Sequence, residues 1–126
     1  MSFNVYVTRQ IPEEGINLLK KFCQTVEVNP CDRPLTYDEL LRQVKGRDAI
    51  LTMLSDKIDA RLMSEAADPS LKHTGTSLKI IANYAVGYDN IDIKTATEKG
   101  IVVTNTPGVL TDSTADMAWA LLFAIT

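Results

Sequence analysis

Between Leu78 and Pro107 the chain reads LKIIANYAVGYDNIDIKTATEKGIVVTNTP. The β-branched run Lys79–Ala82 enters a polar loop holding Gly87. A helix start follows at Asn90–Asp92, and a second apolar run, Ile101–Val103, stops at Thr106–Pro107. Two neighbouring strands joined through a helix lie parallel, because only antiparallel neighbours can be closed by a tight turn. This stretch therefore predicts a βαβ unit, and with it a sheet whose faces are covered by helices. In open sheets of that type, ligands sit outside the carboxyl ends of the strands. The loop Asn83–Asn90 falls in that place.

The rest of the chain repeats the pattern. Phe3–Thr8 alternates and reads as a strand. Pro12 suits a helix's first turn, and Ile16, Leu19, Phe22 and Cys23 follow at helical spacing. Thr25–Val28 is a second strand. Thr36 and Glu39 form a capping box for a helix bearing Leu40, Leu41 and Val44, which Gly46 ends. Ala49–Leu54 is an unbroken apolar run of the kind buried on both faces of a parallel sheet. Asp59 caps a helix with Leu62, Met63 and Ala66, and Asp68–Ser77 reads as a polar connection. Asp112 or Ser113 caps a last helix running through Thr126. Repeated strand–helix alternation predicts an α/β fold: a doubly wound parallel sheet in three layers.

That last helix is apolar on every side after Asp116, from Met117 to Ile125. A helix hydrophobic all round is buried all round. No glycine, proline or basic turn ends it. The expectation is that it runs on into a second domain; the alternative is burial in this domain's own core with an end at Thr126.

A chain of 126 residues is one domain by size. The net charge of −3 and the lack of any Lys/Arg cluster speak against nucleic acid. The run Met117–Ile125 is shorter than the ~20 residues a membrane span needs, and MSFNVYVTRQ has no signal-peptide pattern. Cys23 and Cys31 have no metal-ligand spacing and read as reduced cytoplasmic thiols, with Cys23 filling the core.

No two of the six glycines make GxG, which excludes a dinucleotide fingerprint and a P-loop, and there is no GxSxG elbow. His73, the single histidine, reads as a solvated residue of the polar connection. Asp89 and Asp92 suit a helix N-terminus better than an acid–base pair. The first strand ends in Thr8–Arg9–Gln10, lacking both the acids of a phosphorelay receiver and the hydroxyl-rich loop of a flavodoxin. The positive signal is Val86–Gly87 beside a helix start. Successive amides there can converge on a carboxylate if glycine supplies a positive φ; an ordinary βα turn accounts for the spacing equally well. Leu54 and Ser55 end a strand on the same rim and form either a pocket wall or a turn leading into a helix.

The strings TRQIPEEGINLL, NYAVGYDNID and KGIVVTNTPGVLTDSTADMAWALL together resemble the amino-terminal part of the D-2-hydroxyacid dehydrogenases, in particular the glyoxylate/hydroxypyruvate reductases. The resemblance implies a flavodoxin-like substrate-binding domain over residues 1–107. Residues 108–126 would be a linker and the start of a crossing helix leading to a Rossmann domain. It implies that the amides of Val86 and Gly87 hold the carboxylate of a small 2-oxo or 2-hydroxy acid, that Leu54 and Ser55 line the pocket, and that Thr114 lies near the nicotinamide. NAD or NADP would serve the intact parent, with none expected on this chain. The family's catalytic arginine, glutamate and histidine and its GxGxxG loop belong to the Rossmann portion, so no catalytic residue is expected here. The exposed apolar helix would then drive homo-oligomerisation through Asp112–Thr126. The alternative is a non-catalytic binding module, since some relatives act as co-repressors.

Overall fold

The computed structural model describes residues 3–66 and 78–125. The polar connection Asp68–Ser77, His73 included, lies outside the described residues. The elements are β1 (Asn4–Val7), α1 (Glu13–Phe22), β2 (Thr25–Val28), α2 (Tyr37–Val44), β3 (Ala49–Thr52), α3 (Ala60–Ala66), β4 (Ile80–Asn83), α4 (Ile93–Glu98), β5 (Val102–Thr104) and α5 (Thr111–Ala124). Every strand pair is parallel and the order is β2-β1-β3-β4-β5, the flavodoxin-like doubly wound order.

Alternation along each strand sorts side chains between two cores. Tyr6, Ile50, Ile81 and Val103 face one way, against Leu40 and Val44 of α2, Leu62 and Met63 of α3, and Ala96 of α4. Val5, Val7, Ala49, Leu51 and Ile80 face the other way, with Ile16 and Leu19 of α1. Cys23 is partly buried in this second cluster, and both cysteines are free thiols. Asp48, 3% exposed, ties the amino ends of three strands. It accepts from the Asn4 amide at 2.9 Å through its carboxylate and from the Lys79 amide at 2.7 Å through its carbonyl, and pairs with Lys79 Nζ at 2.8 Å.

Local chemistry fixes the helix ends. Thr36 Oγ1 accepts from the Glu39 amide and Glu39 Oε2 accepts from the Thr36 amide at 2.8 Å, closing the capping box. The Arg33 guanidinium, and then Thr36, hold the Glu39 carboxyl far below the usual carboxylate range. Gly46 and Gly100 take φ of 73° and 68° just beyond α2 and α4, as residues without Cβ can. The start of α5 departs from expectation. Its N-cap is Leu110, with no side-chain cap, and neither Asp112 nor Ser113 caps it. Gly108, at φ 76°, turns the chain early enough that Asp112 falls inside the first turn, where the helix dipole favours an acid.

No residue of α5 is buried. Met117, Trp119, Leu121, Leu122, Phe123 and Ile125 are each at least half exposed, and the Trp119 and Phe123 rings stack at 5.9 Å. Burial of this helix in the domain's own core is thereby set aside. Among the described residues no helix is long and apolar enough to cross a membrane.

Candidate functional site

Parallel strands put all their carboxyl ends on one rim, so the segments that follow them meet there. β3 delivers Met53–Asp56 and β4 delivers the loop 84–90; Asn105 and Thr106 follow β5.

The loop after β4 has a one-sided hydrogen-bond pattern. Its carbonyls are held from within: Ala85 O accepts from the Thr106 amide at 2.9 Å, Val86 O from Asn105 Nδ2 at 2.7 Å, Gly87 O from Asn83 Nδ2 at 2.8 Å, and Tyr88 O from the Ile91 amide at 3.0 Å. The amides of Val86, Gly87 and Tyr88 donate to no group among the described residues. A backbone segment whose acceptors are satisfied and whose donors are not presents partial positive charge, which suits an anion.

The two sequence-derived pairs come together. A Cβ placed on Gly87 would lie 3.8 Å from Leu54 Cδ2, so the β3 and β4 walls face each other across a gap about one methyl wide at that point. Leu54 is 57% exposed and Val86 38%, giving the rim an apolar lip. Ser55 lines two clefts. One, of about 310 Å³, is shared with Leu54, Asp89 and Asn90; the other, of about 430 Å³, is shared with Tyr37, Asp56 and Arg61. Thr114 lines neither: it is an exposed residue of α5 whose amide donates to Leu110 O.

One expectation about Gly87 is corrected. Its backbone is not left-handed; among the described residues the glycines with positive φ are Gly46, Gly100 and Gly108. The loop is shaped instead by the side chains of Asn83 and Asn105 pulling on its carbonyls. What glycine contributes there is the open space beside Leu54.

The side chains that build the rim are ones that pattern reading passed over. Asp56, 2% exposed, accepts through Oδ2 from Thr8 Oγ1 at 2.5 Å and from the Met53 amide at 2.8 Å. Asp56 Oδ1 and Arg9 Nε are buried without a partner among the described residues. Asn90 Nδ2 donates to the carbonyls of Met53 and Asp56, and Asn83 Oδ1 accepts from Thr52 Oγ1. The available signal is the pair of asparagines, Asn83 and Asn90, that brackets the loop after β4.

Two of the acids near the rim, Asp92 and Asp59, hold helix starts. Asp92 is the N-cap of α4: its Oδ1 accepts from the Thr95 amide at 3.0 Å and its Oδ2 from Thr95 Oγ1 at 2.7 Å, which lowers its pKa. Burial pushes the Asp59 carboxyl up, but hydrogen bonds from Tyr37 Oη and the Leu62 amide, with Lys57 nearby, outweigh it and leave it below its ordinary value. Burial, then the bond to Asp59, pushes the Tyr37 hydroxyl up to about 12. No group of three or more His, Cys, Asp or Glu among the described residues is arranged to hold a metal.

The family model for D-isomer specific 2-hydroxyacid dehydrogenase, catalytic domain, matches residues 5–125. The glyoxylate reductase of Thermococcus kodakarensis is 51% identical over 120 residues, covering 95% of this chain and 33% of its own length. That of Thermococcus litoralis is 49% identical over 125 residues, covering 99% and 35%. The chain therefore spans about a third of the length of the curated relatives it matches. Among solved structures, the TT0316 protein from Thermus thermophilus shares 40% identity with a TM-score of 0.79, over 97% of this chain and 36% of that one. The 2-hydroxyacid dehydrogenase from Ketogulonicigenium vulgare shares 28% with a TM-score of 0.71, over 98% and 36%.

Proposed function

This chain belongs to the D-isomer specific 2-hydroxyacid dehydrogenase family, and we propose on that footing that residues 1–107 are the substrate-binding domain of an NAD(P)-dependent reductase of small 2-oxo acids such as glyoxylate. The observation that carries this reading is the loop after β4, with its carbonyls held internally and the amides of Val86 and Gly87 donating to no group among the described residues. Those amides receive the substrate carboxylate, and Leu54 and Ser55 form the facing wall. The glyoxylate reductases at about 50% identity support the choice of substrate class.

The nicotinamide cofactor supplies the hydride when it is bound to the parent. The residues of this chain do not fit it as a holder: no GxG occurs in the sequence. Thr114 would approach the nicotinamide only once a Rossmann domain lies against α5, which residues 108–126 would lead into. Two free thiols fit a reducing, cytoplasmic setting.

The test is a titration of the isotopically labelled chain with glyoxylate, paired with an NADH and NADPH oxidation assay. Amide shifts centred on Val86 and Gly87, with no cofactor turnover above a protein-free control, are expected. Shifts elsewhere, or turnover proportional to the chain, would overturn the assignment. The exposed apolar side chains of α5 favour a second reading, a non-catalytic module that docks a partner through that helix. A chain that ignores glyoxylate while its α5 resonances broaden with concentration would favour it.

A further inference from the structure

We propose that Asn90 is a positioning residue that ties the Leu54–Ser55 wall to the Val86–Gly87 wall; the inference rests on the oxo-acid reading of this rim. Asn90 Nδ2 donates to Met53 O at 3.1 Å and to Asp56 O at 3.0 Å, the carbonyls immediately flanking Leu54 and Ser55. Asn90 Oδ1 accepts from Asn83 Nδ2 at 3.1 Å, and that same nitrogen donates to Gly87 O at 2.8 Å. Two carboxamides therefore connect one wall to the other. Asn83 is held in turn: it is 2% exposed and its Oδ1 accepts from Thr52 Oγ1 at 3.0 Å. The main chain adds a second tie, because Asn90 O accepts from the Ile58 amide at 2.9 Å and the Asp92 amide donates to Ile58 O at 2.9 Å.

The chemistry at this position is exacting. The group must donate toward two carbonyls and accept from a third residue's amide, which a carboxamide does and a carboxylate of the same shape does not. A carboxylate would place charge against Met53 O and Asp56 O, leaving both acceptors unpaired and the wall carrying Leu54 free to drift from Gly87. The hydrogen bonds of Asn90 go to the backbone on either side of Leu54 and Ser55 and to Asn83. It acts by setting the distance between the two walls.

Asn90→Asp in this chain is the isosteric probe, read by amide shifts with and without glyoxylate. The fold is expected to persist by circular dichroism, with shifts at Leu54 and Ser55 as well as at Val86 and Gly87 before any ligand is added. Glyoxylate binding is expected to weaken by about tenfold or more. Part of it is expected to return as the pH falls from about 8 to about 5, because a protonated carboxyl regains one donor. A general packing defect would show no such recovery. Asn90→Ser, which keeps a small donor, carries the same reading should Asn90→Asp fail to fold. Ligand-free shifts confined to the neighbours of residue 90, or glyoxylate binding within about twofold of the unsubstituted chain, would overturn the proposal. A failure of the oxo-acid reading is seen separately, as an unsubstituted chain whose Val86 and Gly87 amides ignore glyoxylate; the ligand-free shifts at the two walls then still decide whether Asn90 couples them.

Discussion

Gly87 and Gly100 are expected to respond oppositely to alanine. At Gly87 the backbone lies outside the left-handed region and a Cβ meets Leu54 Cδ2 at an ordinary 3.8 Å. Gly87→Ala is expected to leave stability unchanged or raise it by up to about 1 kcal/mol, by restricting the unfolded chain. Gly100 has nothing within 4 Å but sits at φ 68°, so Gly100→Ala is expected to cost about 1 kcal/mol from backbone strain alone. Denaturant midpoints of the two variants check both. Tyr37 adds a pH signature. Its hydroxyl is harder to ionise in the folded chain, at about 12, than in the unfolded one, at 10.0. The contribution is thus fully present below about 10 and lost as the pH rises toward about 12. Tyr37→Phe is expected to abolish that alkaline loss, as read by unfolding midpoints across the range. Single positions were also where the sequence was least legible. Val86 and Gly87 stand out in the sequence because they lie beside a helix start, and Leu54 and Ser55 because they follow an apolar run. Asn83, Asn90 and Asp56 do not, because their partners, Thr52, Met53 and Thr8, lie 31 to 48 positions away and no local pattern records such a pairing.

Short elements lean on their caps. α4 has six residues, fewer than an isolated helix can hold together, and both oxygens of Asp92 are engaged at its first turn. Asp92→Ala is expected to lower the thermal unfolding midpoint by removing the cap. Because this carboxyl titrates below its ordinary value when folded, its contribution is present at neutral pH and lost as the pH falls through the folded value, so wild type and variant converge in acid. The capping box of α2 and the acids opening α3 and α4 were readable because capping chemistry is local. Thr25–Val28 is a strand with the bounds its sequence predicts, whereas β1 and β3 are shorter than the runs that predict them. Ala49–Leu54 was expected where the ladder ends at Thr52. The overrun has a physical cause: Met53 and Leu54 are apolar but leave the sheet to form the rim, so the residues that blur the end of β3 are those of the candidate site. The start of α5 was misread because Gly108 turns the chain before any capping side chain appears.

The parallel sheet followed from alternation alone, since βαβ connections admit little else. Where α5 lies did not, because a helix apolar on all sides names no partner. In the structure its large side chains stand exposed, Ile125 at 81% and Phe123 at 72%. Covering one such side chain is worth roughly 1.5–3 kcal/mol. The chain by itself is therefore expected to self-associate through Asp112–Thr126, either by packing or by exchanging the helix between copies. Light scattering should give a dimer or larger species for the wild type and a smaller one for the double variant Trp119→Glu/Phe123→Glu; a wild-type monomer at high micromolar concentration would contradict this. The sheet order has a consequence for synthesis. β1 is an interior strand, bonded to β2 on one side and to β3 on the other, and its Asn4 amide waits for Asp48, 44 positions later. A ribosome thus delivers this inner strand before either of its neighbours, with one edge of the Val5–Tyr6–Val7 run unpaired until β3 has left the exit tunnel. During that interval the nascent chain presents an apolar strand with an open edge, the feature that chaperones capture and that aggregation recruits.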